Sequence, residues 1–190
     1  FTFVSNMEQL ALSNTTGDAS ITTGAGFNSA FANGATITTG TLAATKDLTL
    51  TAGLATVDIT VTVDATSIVG VAADDTAITT GSGDDTITYT GGATYVGTSA
   101  AAGQGTIVIS SGAGADTISV TIGTLAADTD TTSGQAITVT AGTGKDTITK
   151  VGVNADVALG VAHFVVATGD STSTAYDEIT GFDEATASTF

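Results

Sequence analysis

One eight-residue pattern recurs three times in this chain at nearly constant spacing. Each copy reads Gly-x-Gly-x-Asp-Thr-Ile-Ser/Thr, and the copies begin at Gly81, Gly112 and Gly142, which lie 31 and 30 positions apart. Composition alone does not account for so long a pattern at so regular an interval. Because an internal repeat of roughly 20 to 50 residues indicates stacked structural units, this periodicity limits the possible folds more than any other feature.

Weaker copies of the pattern lie in phase with the strong ones. Residues 24–28 keep both glycines and place Asn28 at the Asp position, residues 53–59 keep one glycine and an Asp-Ile pair, and Gly169 begins a stretch that leads to Asp177. The six starting glycines are separated by 29, 28, 31, 30 and 27 positions. We therefore predict structural units of about 29 residues.

Strand patterns flank the strong copies. Residues 106–110 precede the second copy, Thr117–Ile122 follow it, and residues 136–140 precede the third, each alternating Ile or Val with Thr or Ser. This period-two alternation is typical of half-buried strands. Helical periodicity is weak and is confined to residues 28–33 and 99–104.

Strand, glycine turn, strand and variable loop, repeated in one direction, predict an all-β, right-handed parallel β-solenoid with coils of about 29 residues. We expect one such domain over residues 1–190, as a fragment or processed piece of a longer secreted chain. A globular β-sandwich is the alternative fold, but it does not require one turn sequence at constant spacing. Disorder is disfavoured, because the chain is rich in Thr, Val and Ile and has no Pro.

The charge of the chain excludes several functions. There are 19 acidic residues, three lysines and no arginine, for a formal net charge of −16. Nucleic-acid binding needs clustered basic side chains, and an anionic membrane surface attracts them for the same reason. No apolar run approaches the roughly 18 residues of a membrane span. We therefore predict no nucleic-acid partner and no direct membrane insertion.

Stacked coils bring the acidic turns together. In equivalent coils Asp85, Asp116 and Asp146 share one corner, and two carboxylates about 5 Å apart repel by about 3 kcal/mol at an effective dielectric of 20. Three lysines do not neutralise 19 acids, so the corner needs protonation or a bound cation. Calcium takes six to eight oxygen ligands, from carboxylates and backbone carbonyls alike. Ordinary surface turns, which also favour Gly and Asp, are the alternative interpretation.

We predict Ca²⁺ as the cofactor at these corners. Glycine at alternate turn positions permits the backbone angles that direct carbonyls toward an ion. Asp84 is either a further ligand or a solvated surface carboxylate. The candidate ligands are Gly81, Gly83, Asp84, Asp85, Gly112, Gly114, Asp116, Gly142, Gly144 and Asp146.

The three strong copies resemble the RTX calcium-binding nonapeptide, Gly-Gly-x-Gly-x-Asp-x-U-x with U apolar, which forms a β-roll or β-helix. They depart from it at the first position, which is Thr80, Ser111 or Ala141. They also occur once per coil of about 29 residues instead of every nine, which favours a wider β-helix over a narrow β-roll.

A Thr- and Ala-rich chain with sparse RTX motifs is similar to bacterial S-layer proteins, and this sequence has both features. Residues 3–10 resemble the linker segments of that family, and residues 177–182 resemble the ending of many RTX domains. The resemblance implies type I secretion, calcium-triggered folding outside the cell, and a structural, self-assembling protein of the bacterial cell surface. The expected partners are further copies, in a lattice or a filament, and cell-surface polysaccharide.

Other functions are less favoured by the sequence. His163 lies in an apolar run without a nucleophile or metal motif, and no Gly-x-Ser-x-Gly elbow is present, so we predict that the chain is not an enzyme. It is alternatively the non-catalytic RTX portion of a secreted enzyme. A third alternative is an RTX adhesin or ice-binding module, because Thr86/Thr88, Thr117/Ser119 and Thr147/Thr149 are expected to form a ladder on one solvent face. Phe1, Phe3 and Phe190 are candidates for capping or docking the ends.

Overall fold

A computed structural model describes residues 6–12, 17–42, 46–66, 75–91, 94–95, 106–122, 124–125, 136–152 and 162–181. Within these ranges the chain is almost entirely strand, with one helical turn, α1 (Phe27–Ala30). The strands are β1 (Gln9–Leu12), β2 (Ala19–Thr22), β3 (Ala35–Thr39), β4 (Leu48–Thr51), β5 (Ile59–Ala65), β6 (Thr76–Thr79), β7 (Thr86–Gly91), β8 (Thr94–Tyr95), β9 (Thr106–Ala113), β10 (Thr117–Ile122), β11 (Thr124–Leu125), β12 (Ala136–Thr143), β13 (Thr147–Gly152), β14 (Ala162–Val165) and β15 (Glu178–Thr180).

Two parallel sheets form the body of the described structure. Face A has the order β1-β3-β5-β7-β10-β13-β15, and face B has the order β14-β12-β9-β6-β4-β2. The chain alternates between the faces, and each strand pairs with its equivalent one coil later. The short strands β8 and β11 form a third, two-stranded sheet. The predicted parallel β-solenoid is confirmed.

The strand register shows how coil length varies along the solenoid. Thr86 pairs with Thr117 and Thr117 with Thr147, at offsets of 31 and 30 positions. Earlier coils are shorter, since Ala35 pairs with Ile59 only 24 positions later. Within the strands the pairing proceeds residue by residue, so the differences in coil length lie in the loops at the corners.

Inward-facing side chains stack in columns that fill the interior. On face A one column runs from Ile37 through Val61, Ile87 and Ile118 to Ile148, and all five are at most 3% exposed. On face B an equivalent column consists of Leu50, Ile78, Ile109, Val139 and Phe164. Medium-sized aliphatic side chains suffice because the interior between two sheets is thin.

Helical structure is minimal, as the sequence indicates. The helix α1 begins one residue before the predicted segment 28–33 and overlaps its first three residues, and the second candidate, 99–104, falls outside the described residues. Phe27 and Phe31 are buried with ring centroids 4.6 Å apart. Among the described residues, no helix has the length and apolar character needed to cross a membrane.

Replacing Ile118 by Ala should destabilise the protein by about 2–5 kcal/mol, because a fully buried side chain would leave a cavity between two occupied coils. The matched control is Ser119→Ala, whose side chain points outward and should change the free energy of unfolding by less than about 0.5 kcal/mol. Urea unfolding followed by far-UV circular dichroism measures both. Equal effects from the two variants would contradict the assigned inward and outward positions.

Candidate functional site

The structure aligns the three motif aspartates at one corner. Thr86, Thr117 and Thr147 pair directly across β7, β10 and β13, so the residues before them, Asp85, Asp116 and Asp146, occupy equivalent positions in successive coils. Each of the three is at most 1% exposed. We call this set the buried carboxylate column. The predicted alignment is confirmed, and the side chains lie inside the corner instead of on its surface.

Backbone amides hold the column in place from the preceding coil. The Asp85 N–H donates to Oδ1 of Asp116 at 2.8 Å, and the Asp116 N–H donates to Oδ1 of Asp146 at 2.9 Å. The Ile59 N–H donates to Oδ1 of Asp85 at 2.7 Å in the same way. Each carboxylate therefore bridges two coils through one of its oxygens.

The second oxygen of each carboxylate is in a different situation. Oδ2 of Asp85, of Asp116 and of Asp146 is buried and has no hydrogen-bond partner in the described part of the chain. Loss of hydration on burial raises the pKa of Asp85 to about 6 and that of Asp146 to about 6, from an ordinary value of 3.8. Burial raises the pKa of Asp116 as well. A buried acceptor left without a partner is costly and calls for a proton or a cation.

Neighbouring groups make the three carboxyls unequal. A hydroxyl-bearing side chain lies beside two of the carboxyls, Thr80 at Asp85 and Ser111 at Asp116. At Asp146 the equivalent position is Ala141, and the aspartates 116, 177 and 170 raise its pKa further. Asp146 therefore lacks the neighbouring hydroxyl that Asp85 and Asp116 have, yet burial raises the pKa of Asp85 and of Asp146 alike to about 6.

At the first motif position, where the chain departs from the RTX pattern, hydroxyl groups form a ladder of hydrogen bonds between coils. The Thr80 hydroxyl donates to the Ser111 carbonyl at 2.9 Å, and the Ser111 hydroxyl donates to the Ala141 carbonyl at 2.8 Å. Both hydroxyl-bearing residues are buried. Small polar side chains thus replace glycine here because they fill the corner and bond to the next coil.

The motif glycines are required because the turns stack backbone on backbone. Gly112, Gly114, Gly142 and Gly144 all have φ between +93° and +148°, a region that side chains rarely adopt. A Cβ at any of them would also collide with a carbonyl oxygen of the preceding turn.

In the first strong copy glycine is required only because the backbone of the preceding turn comes so close, and not because of a positive φ. Gly81 and Gly83 have no positive φ, yet a Cβ on Gly83 would lie 2.5 Å from the Val57 carbonyl oxygen, and one on Gly81 would collide with Ala55. The sequence-based argument from backbone angles therefore applies to the second and third copies.

Asp84 lies in a separate, exposed row beside the buried column. Its N–H donates a hydrogen bond to Oδ1 of Asp58 at 2.9 Å, and its own Oδ1 accepts one from the Ala115 N–H at 2.7 Å. This side chain is engaged in bonding between coils on the surface of the corner.

Two weak motif copies are offset from the positions that the sequence suggested. The register places Ala35 and Ile59, not Asn28, in line with Asp85. Asn28 lies in α1, where its amide donates to the Leu54 carbonyl and its oxygen accepts the Thr56 N–H. The predicted equivalence of Asn28 was wrong, because the longer first turn inserts a helical turn before β3.

Two further acids lie near the corner that the sequence analysis did not include among the candidate ligands, half-buried Asp177, which it placed in a weak motif copy, and Asp170. Asp177 continues the buried column, since Thr147 pairs with Glu178 and the Asp146 N–H donates to Oδ1 of Asp177 at 3.2 Å. Asp170, largely buried, accepts the Ala167 N–H at 2.6 Å. The spacing of Asp146 and Asp177, 31 positions, was the available signal.

A second acidic ladder lies at the corner that leads into face B. The Asp47 N–H donates to Oδ1 of Asp18 at 3.4 Å, the Asp75 N–H to Oδ1 of Asp47 at 3.0 Å, and the Thr106 N–H to Oδ1 of Asp75 at 2.8 Å. Lys46 is 3.8 Å from Asp18. Their spacing of 29 and 28 positions was visible in the sequence.

The donor chemistry of the buried column suits a hard cation. Carboxylate, carbonyl and hydroxyl oxygens meet there, and these are the ligands calcium prefers. The three unpartnered Oδ2 atoms are acceptors that an ion would satisfy. Within the described ranges, no three Asp, Glu, His or Cys side chains are grouped closely enough to hold a metal by themselves. Backbone carbonyls or water would therefore have to complete the coordination of an ion.

Replacing Gly142 by Ala should destabilise the protein by at least about 1–3 kcal/mol, because φ is +93° and the turn below leaves no space. Gly24→Ala is the control, since a Cβ at Gly24 has nothing within 4 Å. Thermal unfolding compares them. A Gly142→Ala protein as stable as the control would show that the turns are not closely stacked.

In the presence of a chelator, the free energy of unfolding should be higher at about pH 5 than at about pH 7.5. Asp85 and Asp146 have a pKa of about 6 when folded and 3.8 when unfolded, so the folded state holds more protons between these values. This stabilisation is complete below pH 3.8 and is lost as the pH rises through 6. Urea titrations of the wild type and of Asp85→Asn/Asp146→Asn measure it; an undiminished pH dependence in the variant would assign the effect to other groups.

No protein-family model, no curated protein and no solved structure matches the chain. The geometry of the buried carboxylate column is therefore the basis on which a function is assigned.

Proposed function

We propose that this chain is a structural, self-assembling protein of the bacterial cell surface, an S-layer or extracellular filament subunit, whose fold and assembly depend on bound calcium. The observation that carries the proposal is the buried carboxylate column with its three unpartnered Oδ2 atoms. Asp85, Asp116 and Asp146 would bind the ion, and the stacked glycine turns would supply carbonyl oxygens. Calcium would neutralise the column and link successive coils.

Electrostatics supports a cation at neutral pH. A pKa raised from 3.8 to about 6 corresponds to roughly 3 kcal/mol by which the folded surroundings disfavour each ionised carboxylate. Loss of hydration on burial is the main cause of these raised pKa values, and neighbouring aspartates add to the rise. A pKa of about 6 leaves Asp85 and Asp146 mostly ionised at pH 7, so a divalent ion is the stronger source of compensation.

Calcium is favoured over other ions by ligand type and location. The corner offers oxygen donors, and magnesium would demand a stricter octahedral arrangement. Because metal binding is coupled to folding when ligands come together only in the native state, the domain would fold where calcium is plentiful. That condition fits a protein exported to the cell surface.

Self-assembly is supported by the open architecture of the solenoid. Among the described residues, β1 and β15 are the outermost strands of face A, and β2 and β14 are those of face B. Outermost strands carry backbone groups able to pair with another chain. Repeated contacts that do not close on themselves give filaments or lattices.

Calcium titration of the apo-protein should increase far-UV β-sheet signal and thermal stability, and Asp116→Asn/Asp146→Asn should lose most of that response. The control is Asp47→Asn/Asp75→Asn, which removes the same charge at the other corner. Negative-stain microscopy with and without calcium then reports the assembled state as lattice, filament or monomer.

Two results would contradict the proposal. Exhaustive chelation that leaves both melting temperature and assemblies unchanged would remove the role of calcium. Equal loss of the calcium response in both double variants would assign it to total charge and not to the buried carboxylate column.

A further inference from the structure

The outward side of face A carries two unbroken rows of hydroxyl side chains. The first row consists of Thr36, Thr60, Thr86, Thr117 and Thr147, which pair directly in register. The second row, two residues further along each strand, consists of Thr38, Thr62, Thr88, Ser119 and Thr149. All ten are exposed or half-buried. The ladder predicted from three coils therefore extends over five.

Face B provides an internal comparison with the same strand chemistry. One of its outward rows is an equally unbroken set of hydroxyl side chains, but the row beside it is interrupted by Ala77 and Val108. The unbroken row consists of Thr22, Thr51, Thr79, Ser110 and Thr140. Threonine suits outward strand positions in general, and that preference acts equally on both faces. Face A therefore differs from face B in having two adjacent unbroken rows, which make its hydroxyls periodic both across and along the strands.

The two rows are also uncharged in a chain with a net charge of −16. Acids lie at the corners and begin only at the margins of the rows, at Asp64 and Glu178. Without charge the rows offer no complement to an ionic surface. None of their ten side chains is aromatic, so sugar rings find no stacking surface there.

We propose that this threonine face of strands β3, β5, β7, β10 and β13 binds ice. Hydroxyl groups repeat about every 4.8 Å across the strands and about every 6.6 Å along them, and each is accompanied by a methyl group except at Ser119. A surface periodic in two directions is complementary to a periodic partner, and crystalline water is an uncharged one. The sheet register fixes the backbone positions from which these side chains extend before binding, so no backbone ordering is needed on contact. This inference does not depend on the proposed function.

Thermal hysteresis and ice-crystal shaping of the full chain with calcium present test the assignment. The wild type should separate the melting and freezing temperatures of ice and facet the crystals. Thr62→Tyr/Thr88→Tyr should abolish both effects, because bulky rings interrupt two adjacent coils of the rows. The matched control, Thr51→Tyr/Thr79→Tyr on face B, should retain them; circular dichroism verifies that both variants are folded.

Each alternative outcome overturns the inference. A folded wild type without hysteresis or crystal shaping shows that the face does not bind ice. Loss of activity in the face B variant alone, or equally in both variants, shows that the threonine face is not the ice-binding surface.

Discussion

The structure depends on backbone-to-carboxylate hydrogen bonds that run between coils. In the C-terminal half, Asp85, Asp116 and Asp146 each accept an N–H from the coil before them. These bonds fix the height of one coil over the next at the point where the chain turns. The same burial that makes the bonds strong leaves each second oxygen unsolvated, so the interaction that sets the register also creates the need for a proton or a cation.

The acidic ladder changes corner along the solenoid. In the N-terminal half the aligned acids are Asp18, Asp47 and Asp75, at the corner leading into face B. There each carboxylate accepts from the following coil, whereas the buried column accepts from the preceding one. The face A corner holds Ala35 and Ile59 in that half. Carboxylates thus accept hydrogen bonds between coils in both halves, although only those at the C-terminal corner are buried.

Charge and polarity are separated between corners and faces. Acids at the corners bond to backbone amides, and the outward faces carry mainly threonine and serine. This separation gives the solenoid faces that approach another surface without charge repulsion. Under the proposed calcium binding, cations would act at the corners, so the proposed calcium dependence and the proposed face binding can be tested by different substitutions.

The sequence by itself determined the repeat, the strands and the aspartate alignment, because period-two alternation and constant motif spacing are local properties of the chain. The tertiary structure decided what is buried. Burial of the Asp85 carboxylate and the exposure of Asp84 beside it follow from how the turns stack. The sequence shows two adjacent aspartates and does not show which of them is buried. The displacement of Asn28 into α1 and the place of Asp177 in the column depend on loop lengths, since pairing between strands, not spacing between motifs, sets which residues meet.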